Sequence, residues 1–329
     1  MKPMSKRPAW EAKREIRVKA EEEISPRYGC EPNQRPLPQY IRFGLIVIDK
    51  VPGPTSHEVA SWVKKLLELD KVGHGGTLDP KVTGVLPVTL QDSTKIVQAL
   101  LESGKEYICV MRTHEDATEK QVREALSLFV GEIFQRPPLR SSVSRRLRTR
   151  WIYDIDYMEG DGRNWLYKVT CGSGTYIRKL CFDVGEVLGC GAHMQELRRT
   201  RSGPFHEEEA VTMYDLTEAL DMRDEGDEKP LRKLIRPVED AVALLPKIWI
   251  RGSAVEAVCN GAQLAVPGVL RYETGIEVGD HVAAMTQKGE LVAVMKAEMS
   301  SGKVQAEDHG IVASSIRVIM PMGVYPKTW

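Results

Sequence analysis

Asp79 lies in the run Gly76-Thr77-Leu78-Asp79-Pro80, a tight loop that presents one carboxylate. A carboxylate so placed can act as a nucleophile or a general base. An Asp-Pro step also makes an ordinary turn or helix cap, and residue type alone leaves both readings open. Competing chemistries lack their residues. No GxxxxGKS or GxxxxGKT run accompanies the glycines from Gly73 to Gly76, which argues against a phosphate loop. Gly172-Ser173-Gly174 continues as Thr175-Tyr176-Ile177, without the third glycine of a dinucleotide fingerprint. The seven histidines form no HExxH, and no GxSxG marks a hydrolase elbow. None of the six cysteines forms a CxxC pair. No metal and no cofactor is therefore expected.

Charge adds a second feature. Lys+Arg and Asp+Glu both number 46, so the formal net charge is zero. The charge is nevertheless segregated, and its location decides what it attracts. Arg136, Arg140, Arg145, Arg146, Arg148 and Arg150 share a stretch without an acid. Such a run suits phosphate or a protein partner better than an ordinary solvated face. Arg198, Arg199 and Arg201 form a second cluster, and acids gather at Glu207–Glu209 and across 221–228. The scattered cysteines read as free thiols in a reducing compartment. The N-terminus has no apolar signal-like run, and no stretch reaches the length of a membrane span. A cytoplasmic protein is expected.

The elements that must position Asp79 follow from periodicity. Residues 1 to about 40 mix charge clusters with Pro26, Pro32, Pro36 and Pro38 and read as an extension. The run from Leu45 to Ile48 has buried-strand character and stops at Pro52-Gly53-Pro54. Thr55 or Ser56 caps a helix with Val59, Val63, Leu66 and Leu67 on one face. Gly73 to Asp79 reads as a glycine-rich loop. Residues 107–111 read as a strand, and Thr118 with Gln121 forms a capping-box signature for a helix through Phe129. Alternation predicts strands at 151–157 and 165–171, then a helix from Ile177 ending at Gly189. The acidic segment from Asp221 to Pro230 reads as an exposed excursion. From about residue 247, short apolar runs alternate with turn signals, as in a small β-rich domain.

Three ordered segments carry a family resemblance. They are Asp49-Lys50-Val51-Pro52-Gly53-Pro54-Thr55-Ser56, the run Gly73-His74-Gly75-Gly76-Thr77-Leu78-Asp79-Pro80 continuing to Val88, and Gly174-Thr175-Tyr176-Ile177-Arg178 with the later run from Gly191 to Arg199. Together they resemble the TruB-type pseudouridine synthases. Arg136-Pro137-Pro138-Leu139-Arg140 and the ending Tyr325-Pro326-Lys327 are similar to archaeal relatives of dyskerin, the catalytic subunit of box H/ACA guide-RNA particles. The resemblance runs from about residue 37 to the end.

The resemblance implies an α+β fold: a mixed, mainly antiparallel-sheet catalytic domain (41–246) and a C-terminal β-barrel PUA domain (247–329), with the extension (1–40) packed on the PUA side. It implies Asp79 as the catalytic aspartate, Tyr107 as the residue that stacks on the target base, Arg178 as the partner of the aspartate and Leu197 as the pocket wall. His74 matches a histidine associated with base extrusion, Lys50 and Pro52 support the loop, and Tyr176 joins the substrate-binding set. On their own residue types, Tyr107 and Leu197 also suit a core, His74 a loop, and Arg178 a surface. Arg145, Arg146 and Arg148 are the implied RNA contacts of the catalytic domain, and Gly261, Ala262 and Leu264 those of the PUA domain, where glycine also simply makes a turn.

Two departures bear on substrate. Gly75 stands where bacterial tRNA enzymes carry Ser or Thr, and the stretch from Arg112 to Gln135 lacks their longer insertion. Both favour guidance by RNA. The implied substrates are rRNA, presented by a box H/ACA guide RNA, and the T-loop uridine of tRNA. The implied protein partners are two small subunits on the catalytic domain and a kink-turn-binding protein of ribosomal type held through the RNA. A non-catalytic RNA-binding scaffold and an Asp-dependent nucleosidase are the alternatives.

Overall fold

The computed structural model describes residues 7–137 and 146–327. Strand β1 (Ile16–Val18) is the first regular piece of sheet, and it pairs with Arg271 to Glu273 of the C-terminal sheet. Helix α1 (Leu37–Arg42) leads into β2 (Gly44–Lys50), where every residue except Asp49 is buried. Thr55 then caps α2 (Ser56–Leu66), sharing a reciprocal box with Glu58. The glycine-rich run begins as a strand and not as a loop: β3 (Val72–His74) pairs with β4 (Thr83–Leu90), leaving 75–82 as the loop proper. Gly73 permits this, because a Cβ there would come within 2.8 Å of the Val97 side chain.

Helix α3 (Val97–Glu102) is followed by β5 (Lys105–Thr113), and Thr118 with Gln121 caps α4 (Glu119–Ser127). Next come β6 (Gly131–Gln135), β7 (Arg148–Asp161) and β8 (Asn164–Cys171). Helix α5 (Ile177–Leu188) ends at Gly189, whose φ of 75° suits a left-handed cap. The chain continues through β9 (Ala192–Ser202), β10 (Phe205–His206), α6 (Met213–Asp224), α7 (Lys229–Leu234) and β11 (Ile235–Pro237). The acidic segment at 221–230 is largely exposed but is not a plain excursion, since it holds the end of α6 and the start of α7. Leu216, Leu220 and Leu231 anchor those helices in the core.

These strands form one sheet in the order β11-β2-β4-β9-β5-β8-β7-β6, with β3 also on β4 and β10 on β9. Its ladders are antiparallel except for a two-pair parallel seam, Thr83 to Arg198 and Gly84 to Arg199. Gly84 makes the seam feasible. Its φ is +98°, and a Cβ would lie 2.2 Å from the Arg199 carbonyl oxygen.

The C-terminal unit holds β12 (Lys247–Ile250), α8 (Gly252–Cys259), β13 (Leu264–Ala265), β14 (Val269–Glu273), β15 (His281–Met285), β16 (Leu291–Ala297), α9 (Ser301–Ala306) and β17 (Ile311–Val318). The strand order is β1-β14-β12-β15-β16-β17-β13, with β12–β15 parallel. The sequence did not announce α8, whose Val255, Val258 and Cys259 enter the barrel core. Among the described residues no helix is long and apolar enough to cross a membrane.

Candidate active site

The Asp79 loop is held from below by side chains that bond its backbone. Lys50, buried at the end of β2, donates from Nζ to the carbonyls of Val51 at 3.0 Å, Pro80 at 3.0 Å and Val82 at 2.9 Å. Burial, and then the charge of Arg199, push its pKa below the ordinary lysine value. Ser56 Oγ, in the first turn of α2, accepts from Leu78 N at 2.8 Å and bonds its carbonyl oxygen at 3.2 Å. Gly53 N donates to Pro80 O at 2.9 Å. Capping of α2 by Thr55 therefore helps fix the residue before Asp79.

Three chain segments then converge. Leu78 and Val82 flank Asp79, Ile177 precedes Arg178, and Tyr107 lies on β5; all four apolar side chains share one buried cluster, against which Leu197 packs. Anchoring its neighbours leaves Asp79 half-exposed, paired with a half-exposed Arg178 Nη2. An ion pair this open contributes little stability, so orientation of the carboxylate is its physical effect. Arg178 is aimed by the start of α5. There Gln135 clamps the backbone of Tyr176, accepting from its N–H at 2.9 Å and donating to its carbonyl at 3.1 Å.

Beneath this lies Arg199, fully buried and directly across from Tyr107 in the β5–β9 register. It donates from Nε to Val85 O at 2.7 Å and from Nη2 to Gly76 O at 3.0 Å. Burial raises the Tyr107 pKa, and the nearby Arg199 charge opposes that rise. Burial also lowers the pKa of His74, with the Arg199 charge adding to it, and His74 Nδ1 has no hydrogen-bond partner.

The remaining sequence candidates divide. Arg146 is exposed beside β7, Arg148 opens that strand, and Arg145 lies outside the described residues. Arg150 is turned inward, donating from Nε to Gly174 O at 2.7 Å. The second arginine cluster is not a phosphate-facing patch. Arg198 pairs with Asp49 at 2.9 Å and Glu207 at 2.7 Å, Arg199 is interior, and Arg201 covers the Trp10 ring. Strand alternation sends Arg198 and Arg199 to opposite faces, which a linear count of charges hides. In the barrel, Gly261 and Ala262 are exposed after α8, whereas the Leu264 side chain is buried in the core.

Sequence reading missed Ser56, Lys105, Gln135 and Arg199 as supports of the site. Only Arg199 left a signal, its two-residue spacing from Leu197 on one strand face.

Known proteins decide what this constellation belongs to. The model for the TruB family pseudouridylate synthase N-terminal domain matches residues 64–177, and that for the tRNA pseudouridylate synthase B C-terminal domain matches 178–243. A protein of Methanopyrus kandleri named probable tRNA pseudouridine synthase B is 54% identical over 96% of this chain and 94% of its own length. The chain belongs to the TruB family of pseudouridine synthases. A second TruB-family protein with the same description, from Thermococcus kodakarensis, is 53% identical over 96% of the chain and 95% of its own length. Flanking the TruB core, a DKCLD domain model matches residues 8–60 and a PUA domain model matches 246–319. A solved Cbf5-Nop10-Gar1 complex contains a chain with 51% identity and a TM-score of 0.94, covering 98% of this chain and 99% of its own. A structure of an H/ACA RNP bound to a substrate RNA containing 2′-deoxyuridine contains a chain with 49% identity and a TM-score of 0.91, covering 98% and 99%. This TruB-family chain is an isomerase acting on RNA uridine.

Proposed function

We propose that this enzyme isomerises uridines that a box H/ACA guide RNA presents to it in rRNA, and the T-loop uridine of tRNA, with Asp79 as the catalytic carboxylate. The observation that carries the reading is the convergence of the Asp79 loop, Ile177 beside Arg178, and Tyr107 on one apolar cluster, with the carboxylate paired to Arg178 yet half-open to solvent. The reaction breaks the N1–C1′ bond and rejoins the ring through C5, leaving the atom count unchanged, so it needs no redox carrier. Asp79 supplies the nucleophile or base, Arg178 orients it, and Leu197 walls the pocket.

The target uridine must leave its stack. Tyr107 offers a face for the extruded base, an interaction worth about 1–3 kcal/mol. His74 and Tyr176 line the approach, while Lys50 holds the loop. Arg145, Arg146 and Arg148, with Gly261 and Ala262 of the PUA unit, are the proposed RNA contacts, and Leu264 supports the latter from within the barrel. The proposed partners are the guide RNA, two small subunits on the catalytic domain and a kink-turn-binding protein of ribosomal type held through the RNA. The high identity to chains of the Cbf5-Nop10-Gar1 complex and of the substrate-bound H/ACA RNP supports the RNA and the two small subunits.

We divide the chain into an extension (1–40), a catalytic domain (41–246) and a PUA domain (247–329), in keeping with the pairing of β1 to β14. Six free thiols suit a cytoplasmic setting.

The test follows tritium release from C5-labelled uridine in a guided substrate and identifies the product. Asp79→Asn is expected to abolish turnover while leaving RNA affinity largely intact. Turnover by Asp79→Asn would overturn the assignment of the carboxylate. Free uracil from the unsubstituted enzyme would replace isomerisation by cleavage, and neither product would leave a scaffold.

A further inference from the structure

Helix α5 begins without a cap of its own: Tyr176, the extended residue before it, makes no side-chain cap bond. The turn that leads into the helix, 172–176, is instead tied to β6 and β7 at every second residue. Gly172 N donates to Trp151 O at 2.8 Å, Gly174 O accepts from Arg150 Nε at 2.7 Å, and Tyr176 meets Gln135. Gly174 is required there, since its φ is +70° and a Cβ would lie 3.0 Å from Arg150 Nη2. The last tie is the nearest to Arg178 and differs in kind. Gln135, the final residue of β6, is 2% exposed. Its amide accepts from Tyr176 N at 2.9 Å and donates to Tyr176 O at 3.1 Å. That carbonyl also starts the helix, accepting from Leu180 N at 3.0 Å. A carboxamide carries its donor and acceptor side by side. One side chain therefore grips both backbone groups of an extended residue, as a neighbouring strand would. Two residues later, Arg178 pairs with Asp79.

We infer that Gln135 is a positioning residue for the isomerisation, acting through Arg178 by fixing the first turn of α5, from which the guanidinium reaches Asp79. The inference rests on the reading of Asp79 and Arg178 as groups of the reaction. The two bonds of the Gln135 amide go to the backbone of Tyr176, so its effect on the chemistry passes through the helix start. The Asp79–Arg178 pair is half-exposed, and ion pairs so open are worth only about 0–1 kcal/mol. Such a pair does not hold its own geometry, and the direction of the guanidinium comes from the backbone that carries it. Releasing Tyr176 lets the first turn shift, and a displacement of about 1 Å at a reacting group can cost about a hundredfold in rate. RNA affinity draws mainly on phosphate contacts elsewhere, so the chemical step suffers more than binding.

A double-mutant cycle tests this in the full chain, assembled with a box H/ACA guide RNA and its partner proteins, under single-turnover conditions on C5-tritiated substrate. Gln135→Met keeps the bulk of the side chain and removes both bonds. It is expected to slow tritium release by about tenfold or more while substrate RNA affinity changes by less than about threefold. Arg178→Met is also expected to be slow. Because Gln135 acts through the guanidinium, Gln135→Met on top of Arg178→Met is expected to cost less than about twofold more. Equal slowing by Gln135→Met in both backgrounds, as a general loss of structure would give, overturns the inference and leaves the role of Arg178 standing. So does a Gln135→Met enzyme at full rate. An Arg178→Met enzyme at full rate overturns the role of Arg178 itself. Where Arg178→Met releases no measurable tritium, hydrogen exchange in the assembled particle decides. Gln135→Met is then expected to speed exchange at the amides of Tyr176 and Leu180 by about tenfold or more, with β5 unchanged. Unchanged exchange at those two amides, or faster exchange in β5 as well, overturns the inference. Should Gln135→Met fail to fold, Gln135→Asn replaces it in every arm, since it keeps the amide but withdraws it from Tyr176.

Discussion

Lys105 shows how the interior of this site treats charge. Its Nζ donates to the carbonyls of Leu100 at 2.7 Å, Leu101 at 3.3 Å and Ser103 at 2.7 Å. Burial, reinforced by the Arg199 charge, pushes its pKa from 10.5 down to about 7. In the unfolded chain the amine regains its ordinary value. Between those two values the unfolded chain binds more protons, so stability from this group rises as pH climbs through the window and is lost below it. Cys171, pushed up from 9.0 to about 12 by burial, opposes this only above pH 9. The thermal midpoint of the unsubstituted protein is therefore expected to rise relative to that of Lys105→Met between about pH 7 and pH 9. Parallel curves for the two proteins would show that Lys105 does not titrate there.

At the scale of elements, the site hangs on two joints. One is the α2 N-terminus, where Ser56 bonds both backbone groups of Leu78. The other is the β4–β9 seam. Gly84→Ala puts a Cβ into the Arg199 carbonyl and an alanine at φ +98°, so backbone must move. A loss of at least about 3 kcal/mol is expected, read as a lowered urea midpoint, together with slower tritium release because Arg199 shifts. A stable, fully active Gly84→Ala protein would show that the seam tolerates separation. These elements were unevenly legible. The cap at Thr55 or Ser56, the capping box at Thr118, the strand at β5 and the stop at Gly189 were readable because each depends on neighbours within four residues. The start of the glycine-rich run was misread as loop. Its strand character comes from β4, whose hydrogen bonds no local pattern reports.

Across the whole molecule, the extension, catalytic unit and barrel meet at Arg35 and Glu239. This buried pair, at 2.7 Å, joins the extension to the last part of the catalytic domain, and Glu239 Oε1 also accepts from Leu291 N at 2.8 Å in the barrel. Nearby, Glu290 of the barrel accepts from Cys30 N at 3.1 Å. Removing one partner of a buried pair strands the other charge, at a cost of about 3–5 kcal/mol. Glu239→Gln is expected to split the calorimetric unfolding into two transitions, the barrel separating from the catalytic unit. A single transition at the original temperature would mean that the apolar contacts alone couple them.

Asp79 was visible from the first reading, but its chemistry was not. Its immediate neighbours suit a turn as well as a catalyst, and the family motifs, spread over more than a hundred residues, raised it to a candidate. Those motifs also named Tyr107, Arg178 and Leu197. The sequence by itself thus determined the family, the strands with strong alternation and the helix caps, all properties of local pattern or of motif order. Only the tertiary structure decided that Arg198 and Arg199 part to opposite faces, that Leu264 is a core residue, and that Ser56, Gln135 and Arg199 hold the loops. The physical reason is that each of these roles is a bond to a backbone group, or burial beside a strand, distant in the chain. A carbonyl has no residue-specific signature, so its partner becomes evident only when folding brings the two together.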